Sequence, residues 1–112
     1  MIAATAIIKG TGITFGIDIH IVEGATGYYD SNLNGKMTRA VELITSGSYD
    51  FGFVHIKAVD DAGHDKRLDI KVQQLEKIDV AIKLLIEGLG KASDSKNQYI
   101  ICITGDHTTP II

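Results

Sequence analysis

One long amphipathic stretch, residues 66–89, constrains the fold more than any other part of the sequence. Its apolar residues recur every three or four positions, which places them on one face of an α-helix, with charged residues opposite. This face consists of Leu68, Val72, Leu75, Ile78, Ile82, Leu85 and Leu89. A helix with such a stripe must bury it against other elements, and we expect Gly88 and Gly90 to mark its end.

Two further helices are predicted upstream. Helical spacing of apolar residues covers residues 32–46. An alanine-rich start favours a short helix within residues 2–15, although Gly10 and Gly12 weaken it and a strand stays possible.

Three apolar segments have the pattern of strands. They are residues 17–22, with His20 on the exposed side, residues 49–58 and residues 98–105. Polar loops are predicted before the second helix and over residues 59–65. Because strands alternate with helices and the last strand is almost wholly apolar, we predict an α/β fold in which helices sandwich a mostly parallel sheet.

Composition limits the class of protein. The 112 residues suffice for one domain with a single core, and a net charge of -3 argues against a nucleic-acid surface. No segment approaches the roughly 20 apolar residues of a membrane span. The one cysteine, Cys102, allows no internal disulfide, which favours a cytoplasmic location, and we expect it to be buried as a small hydrophobe.

Asp and His residues follow two of the predicted strands. Asp60 and His64 lie four residues apart, with Gly63 expected to provide a tight turn between them, and Asp106 and His107 are adjacent. Ligand sites in open α/β sheets lie beyond the carboxyl ends of strands. Carboxylate and imidazole suit Zn²⁺ or Mn²⁺, and carboxylates also suit Mg²⁺. Either pair alone could be an ordinary turn, but two pairs at equivalent strand ends favour a metal site.

Other candidate residues have simpler interpretations. His55, within a predicted strand, is typical of a core or edge histidine bonded to a neighbour. Lys57 could hold a phosphate as a point charge, or could simply be solvated. Residues 24–27 could turn backbone N–H groups towards an anion, but their spacing matches no phosphate-binding loop. Asp79 belongs to the polar face of the long helix.

Several motifs taken together resemble a known family. The segment "KAVDDAGHD", a long helix with "EKID", and a strand ending in "TGDHTTP" are similar to the archaeal-type branch of the 2,3-bisphosphoglycerate-independent phosphoglycerate mutases, within the alkaline phosphatase superfamily. Upstream, "ATAIIKGTGITFGIDI" and "GATGYYDSNLNGK" match that branch in order and spacing. The resemblance implies a partial alkaline-phosphatase-like metalloenzyme core. It also implies interconversion of 3-phosphoglycerate and 2-phosphoglycerate through a phosphoserine, with phosphoglycerate as the small-molecule substrate.

The resemblance also implies roles for individual residues. Asp60 and His64 would bind one of two divalent ions (manganese, magnesium or zinc), and Asp106 and His107 would bind the other. The family's first metal-binding Asp, its nucleophilic Ser and its inserted substrate domain would precede residue 1, and a further His would follow residue 112. None of the serines present resembles the nucleophile; they are Ser31, Ser46, Ser48, Ser93 and Ser95. We therefore expect residues 1–112 to form one partial domain without mutase activity on its own.

Two other functions stay open at this point. The chain could be part of a phosphatase or another phosphoester hydrolase of the same superfamily, which shares the metal ligands and lacks the substrate domain. Alternatively, it could be a catalytically inactive structural or binding module, which predicts no tight binding of metal.

Overall fold

A computed structural model describes all 112 residues and contains four helices. They are α1 (Ala6–Thr14), α2 (Leu33–Thr45), α3 (Ala58–His64) and α4 (Leu68–Ala92). Helix α4 is the centre of the arrangement, because α2 and α3 both pack against it. None of the four combines the length and the apolar composition that crossing a lipid bilayer requires.

Helix α2 and the middle of α4 form the core. The side chain of Asn32 accepts a hydrogen bond of 2.9 Å from the Gly35 N–H, which caps the first turn of α2. Leu33 and Met37 of α2 are buried against Ala81 of α4. Partly buried residues around them are Val54, Ile56, Ile78, Ile82 and Leu85. The predictions of α1, α2 and α4 are therefore confirmed.

The prediction that Gly88 and Gly90 end the long helix is wrong, because α4 continues to Ala92. The glycine at position 88 has a different role. A Cβ there would come within 2.8 Å of Val41 Cγ2, so the glycine allows α2 and α4 to approach closely, whereas Gly90 faces open space. The apolar stripe is also buried only in part, since Leu68 at its start is 60% exposed.

The predicted parallel sheet is not formed in this structure. Its one element is a parallel bridge between Ile2 and Val54, in which the Ile2 N–H donates to Phe53 O and the His55 N–H donates to Ile2 O, both at 2.9 Å. Residues 17–22 and 98–105 form no strand. The N–H and C=O groups of a strand need a neighbouring strand as their hydrogen-bond partner. The apolar pattern of one segment does not show whether that neighbour is present.

Side chains of the segments that form no strand differ in exposure from what the sequence predicted. Ile100 in the predicted last strand is 98% exposed. Cys102, expected to be buried, is exposed as well. The expectation for His20 also fails, because this side chain is half-buried and its Nε2 lies 3.0 Å from Tyr49 Oη.

The predicted polar loop at residues 59–65 is helix α3. Ala58 and Ala62 are buried on its inner face, and this pair of small apolar residues explains why so polar a segment folds onto α4. Asp60 and Asp61 lie in its first turn, where carboxylates interact favourably with the helix dipole. Residues four apart on a helix share a face, so the helix itself brings His64 next to Asp60.

Candidate metal site

The first predicted pair, Asp60 and His64, meets on the surface of α3. His64 Nε2 lies 3.4 Å from Asp60 Oδ1. The Asp60 side chain is partly covered, whereas that of His64 is mostly open to solvent. The pair results from helical spacing. The sequence had suggested a tight turn at Gly63 instead.

The second predicted pair, Asp106 and His107, meets in the terminal segment. His107 Nε2 lies 3.2 Å from Asp106 Oδ2. Adjacent residues of an extended chain point in opposite directions, so a bend is needed to bring them together. The other oxygen of Asp106, Oδ1, supplies it by accepting a hydrogen bond of 3.0 Å from the backbone N–H of His107.

Thr109 joins the two pairs, and it was not among the residues predicted from the sequence. Its hydroxyl donates a hydrogen bond of 2.5 Å to Asp60 Oδ1 and lies 3.3 Å from His107 Nδ1. The side chain is buried, with 8% exposure. The one sequence signal for it is the following Pro110, which holds the preceding residue in an extended backbone conformation.

Two contacts hold Thr109 in place. The ammonium of Lys71, on α4, donates a hydrogen bond of 2.5 Å to the carbonyl oxygen of Thr109. On α3, a Cβ at Gly63 would lie 2.7 Å from that same oxygen and 2.7 Å from Thr109 Cγ2. Gly63 is therefore required for close packing of the terminal segment against α3.

Hydrogen bonds to the Asp60 carboxylate keep it ionised. The hydrogen bond from Thr109, followed by that from Lys57, lowers the pKa of the Asp60 carboxyl to about 2. Because this pKa is depressed, the stabilisation is present above the ordinary value near 3.8 and is lost as pH falls towards 2. Asp60 is thus a carboxylate at neutral pH.

Lys57 is occupied by its own helix. Its ammonium contacts Asp61 and donates a hydrogen bond of 3.0 Å to Asp60 Oδ2. The hydrogen bonds to Asp61 and then Asp60 raise the pKa of Lys57. The side chain therefore lies beside the candidate site, but contact with a phosphate would require it to leave at least one carboxylate.

Lys36, a buried residue of α2, forms a polar contact with half-buried His55. The Lys36 side chain is 1% exposed, and its ammonium donates a hydrogen bond of 2.9 Å to the backbone oxygen of His55. Burial lowers the pKa of Lys36. Burial, and then the charge of Lys36, lower the pKa of His55, which favours its neutral form. His55 is half-buried, as its place in the sequence indicated, and its bond to Lys36 is made by its backbone oxygen.

The two pairs fit a divalent ion in donor type and in spacing. Nitrogen and oxygen ligands of Zn²⁺ lie about 2.0 to 2.2 Å from the metal, so two donors of one ion are separated by about 3.0 Å at octahedral and about 3.4 Å at tetrahedral angles. The separations of 3.4 Å at Asp60–His64 and 3.2 Å at Asp106–His107 lie in this interval. No three His, Cys, Asp or Glu side chains converge, so each pair supplies two donors.

Comparison with known proteins gives a consistent result. The Metalloenzyme superfamily matches residues 1–112. A protein from Sulfurisphaera tokodaii named 2,3-bisphosphoglycerate-independent phosphoglycerate mutase is 42% identical over 110 residues, which are 98% of this chain and 25% of that protein. One of the same name from Pyrococcus abyssi is 38% identical over 109 residues, again 25% of its length.

A solved structure is similar as well. The PH0037 protein from Pyrococcus horikoshii superposes with a TM-score of 0.74 at 38% identity, over 78% of this chain and 26% of that one. The chain thus spans about a quarter of the length of the relatives it matches.

Proposed function

Because the chain belongs to the Metalloenzyme superfamily, we propose that it supplies part of the two-metal centre of a 2,3-bisphosphoglycerate-independent phosphoglycerate mutase. The observation that carries the proposal is the presence of two carboxylate–imidazole pairs with separations of 3.4 and 3.2 Å, connected through one hydroxyl. The names of the relatives favour a mutase over a phosphatase or another phosphoester hydrolase.

In this proposal each pair binds one divalent ion. Asp60 and His64 hold one, and Asp106 and His107 hold the other, with Mn²⁺, Mg²⁺ or Zn²⁺ as the candidate metals. When bound, such ions polarise the oxygens of a phosphoryl group. This chain would contribute carboxylate oxygens and imidazole nitrogens as ligands held in fixed positions. Because only two donors meet at each place, we expect residues 1–112 alone not to convert 3-phosphoglycerate to 2-phosphoglycerate.

The proposal extends to the substrate and to the wider fold. Phosphoglycerate would bind with its phosphate near the two pairs, within reach of the Lys57 ammonium if that group exchanges a carboxylate for the phosphate. The parallel bridge between Ile2 and Val54 supports a mostly parallel sheet in the full-length relatives. A single cysteine, with no internal disulfide possible, supports a cytoplasmic location.

Calorimetric titration with Mn²⁺ tests the assignment of ligands. We expect the wild-type chain to bind Mn²⁺ and Asp106→Ala to bind it about 100-fold more weakly, because one of the two donors of its pair is lost. Asp79→Ala is the matched control, since it removes an exposed carboxylate from the outer face of α4 and should leave the affinity unchanged.

Two results would contradict the proposal. Equal affinity of the wild type and Asp106→Ala would remove the ligand assignment. Absence of any binding by the wild type would favour the structural or binding module instead.

A further inference from the structure

The hydrogen bonds of Thr109 can be assigned a direction from the number of protons available. A threonine hydroxyl has one hydrogen to donate, and an ionised carboxylate can only accept. The hydrogen of Thr109 must therefore point to Asp60 Oδ1, at 2.5 Å. The remaining lone pairs of the hydroxyl oxygen face His107 Nδ1, at 3.3 Å.

This direction favours a hydrogen on Nδ1 of His107. Nδ1 lies 3.3 Å from the Thr109 hydroxyl oxygen and 3.2 Å from the carbonyl oxygen of Thr108, which can only accept. Nδ1–H can therefore donate to both oxygens, while Asp106 Oδ2, 3.2 Å from Nε2, competes for the same hydrogen. In the neutral imidazole with its one N–H on Nδ1, the lone pair is on Nε2, beside Asp106.

We propose that Thr109 is a positioning residue for both pairs, because its one hydroxyl orients the Asp60 carboxylate and holds His107 with its Nε2 lone pair beside Asp106. The role rests on the proposed metal binding, in which Nε2 of His107 and the oxygens of Asp60 and Asp106 are ligands. A lone pair and a carboxylate oxygen 3.2 Å apart repel each other, and a cation between them removes the repulsion.

The surroundings of Thr109 show that its position is built into the fold. The residue is buried, its carbonyl oxygen accepts from Lys71 on α4, and its backbone packs against Gly63 on α3. These contacts do not involve the ligand atoms. The hydroxyl is thus presented at the same place whether or not a metal is bound, which is what a group that prearranges ligands requires.

The tautomer of His107 gives a test that does not depend on metal. Thr109→Val keeps the shape of the side chain and removes the hydroxyl, and Thr109→Ser keeps the hydroxyl as the matched control. Ring nitrogen NMR shifts of His107 are measured in metal-free protein, at a pH at which they no longer change with pH. We expect mainly the Nδ1–H form in the wild type and Thr109→Ser, and a partial shift towards Nε2–H in Thr109→Val, because the Thr108 carbonyl oxygen still accepts from Nδ1 while an Nε2–H can donate to Asp106. An unchanged tautomer in Thr109→Val overturns the proposal.

Mn²⁺ calorimetry on the same proteins gives the second readout. We expect Thr109→Val to bind about 10-fold more weakly than the wild type and Thr109→Ser to bind within about 3-fold of it. Circular dichroism checks that each variant is folded, and Thr109→Ala replaces Thr109→Val if that protein does not fold.

The two proposals fail in different ways. If the wild type binds Mn²⁺ and Thr109→Val binds it equally well, the positioning role is overturned and the metal assignment stands. If the wild type binds no Mn²⁺, the proposed function is overturned, and with it the role of Thr109 towards a metal, whatever the tautomer of His107.

Discussion

The same three chemical groups, a carboxylate, a hydroxyl and an imidazole, are connected in series at two places in this molecule. At the candidate metal site the series is Asp60, Thr109 and His107. Beside the bridge between Ile2 and Val54, Tyr49 Oη donates to Asp18 Oδ2 at 2.9 Å and lies 3.0 Å from His20 Nε2. The two series differ in which imidazole nitrogen is engaged.

That difference decides what each histidine can do. The hydrogen of the Tyr49 hydroxyl goes to Asp18, so His20 must donate from Nε2, and no carboxylate forms an ion pair with its ring. In His107 the engaged atom is Nδ1, and Nε2 is left beside Asp106. Groups of the same three kinds therefore fasten two segments in one place and, in the proposed function, arrange metal donors in the other.

Replacing each histidine by alanine should separate the two roles most strongly. We expect His107→Ala to weaken Mn²⁺ binding by about 100-fold with little loss of stability, because the exposed ring is a ligand in the proposed function and contributes little packing. His20→Ala should leave Mn²⁺ affinity unchanged and lower the thermal unfolding midpoint, since its contact with Tyr49 is lost. Calorimetry and thermal unfolding of both variants measure this, and the comparison fails if His20→Ala weakens Mn²⁺ binding as much as His107→Ala.

A methyl group added at a glycine should disturb the series of Asp60, Thr109 and His107 when that glycine is Gly63. It should spare the series of Asp18, Tyr49 and His20 when the glycine is Gly52. Gly63→Ala places a Cβ 2.7 Å from the carbonyl oxygen of Thr109, and we expect a loss of about 1 to 3 kcal/mol in the free energy of unfolding, because backbone cannot move aside cheaply. Gly52→Ala, near Tyr49, is the control, since the nearest atom to its Cβ is Ile44 Cδ1 at 3.9 Å. The measurement is urea unfolding of both proteins. Equal effects of the two substitutions would contradict this explanation.

Alkaline pH should weaken only the series that contains tyrosine. The hydrogen bond to Asp18 raises the pKa of Tyr49, so folding favours the protonated phenol. The resulting stability is fully present below the ordinary value near 10 and is lost as pH rises through the higher folded-state pKa. A threonine hydroxyl does not ionise in this range.

The measurement is urea unfolding between about pH 8 and about pH 11. We expect Tyr49→Phe to be less stable than the wild type at pH 8 and to lose less stability as the pH rises. Tyr29, whose hydrogen bond to Asp65 raises its pKa to about 12, contributes equally in both proteins. Parallel pH profiles for the wild type and Tyr49→Phe would show that the phenol of Tyr49 does not contribute in this way.

Predictions from local pattern succeeded where a single element decides the outcome. The stripe of α4 and the spacing of α2 are repeats within one helix, and both helices were found. Asp60, His64, Asp106 and His107 were identified as two pairs because each pair lies within five residues of sequence. Local spacing alone determines these features.

The features that were missed depend on contacts between distant residues. Helix α3 was predicted as a loop because Asp and Gly dominate the segment and its one apolar pair, Ala58 and Ala62, is too short a stripe to indicate a helix; burial of this pair against α4 stabilises it. Gly63 was predicted to form a tight turn and Gly88 to mark the end of a helix. Instead, Gly63 allows the close approach of Thr109, and Gly88 allows that of Val41. Thr109 itself donates a hydrogen bond to Asp60, which lies 49 positions away in the chain.

The separation of 49 positions between Asp60 and Thr109 also has a consequence for the order of folding. Helices close local contacts within about a microsecond, whereas a long loop must lose more chain entropy before its ends meet. We therefore expect α2, α3 and α4 to form first and the contact of Thr109 with Asp60 to form late. The donor geometry would then assemble after these helices, and the segment around Thr109 would open before them during a local fluctuation.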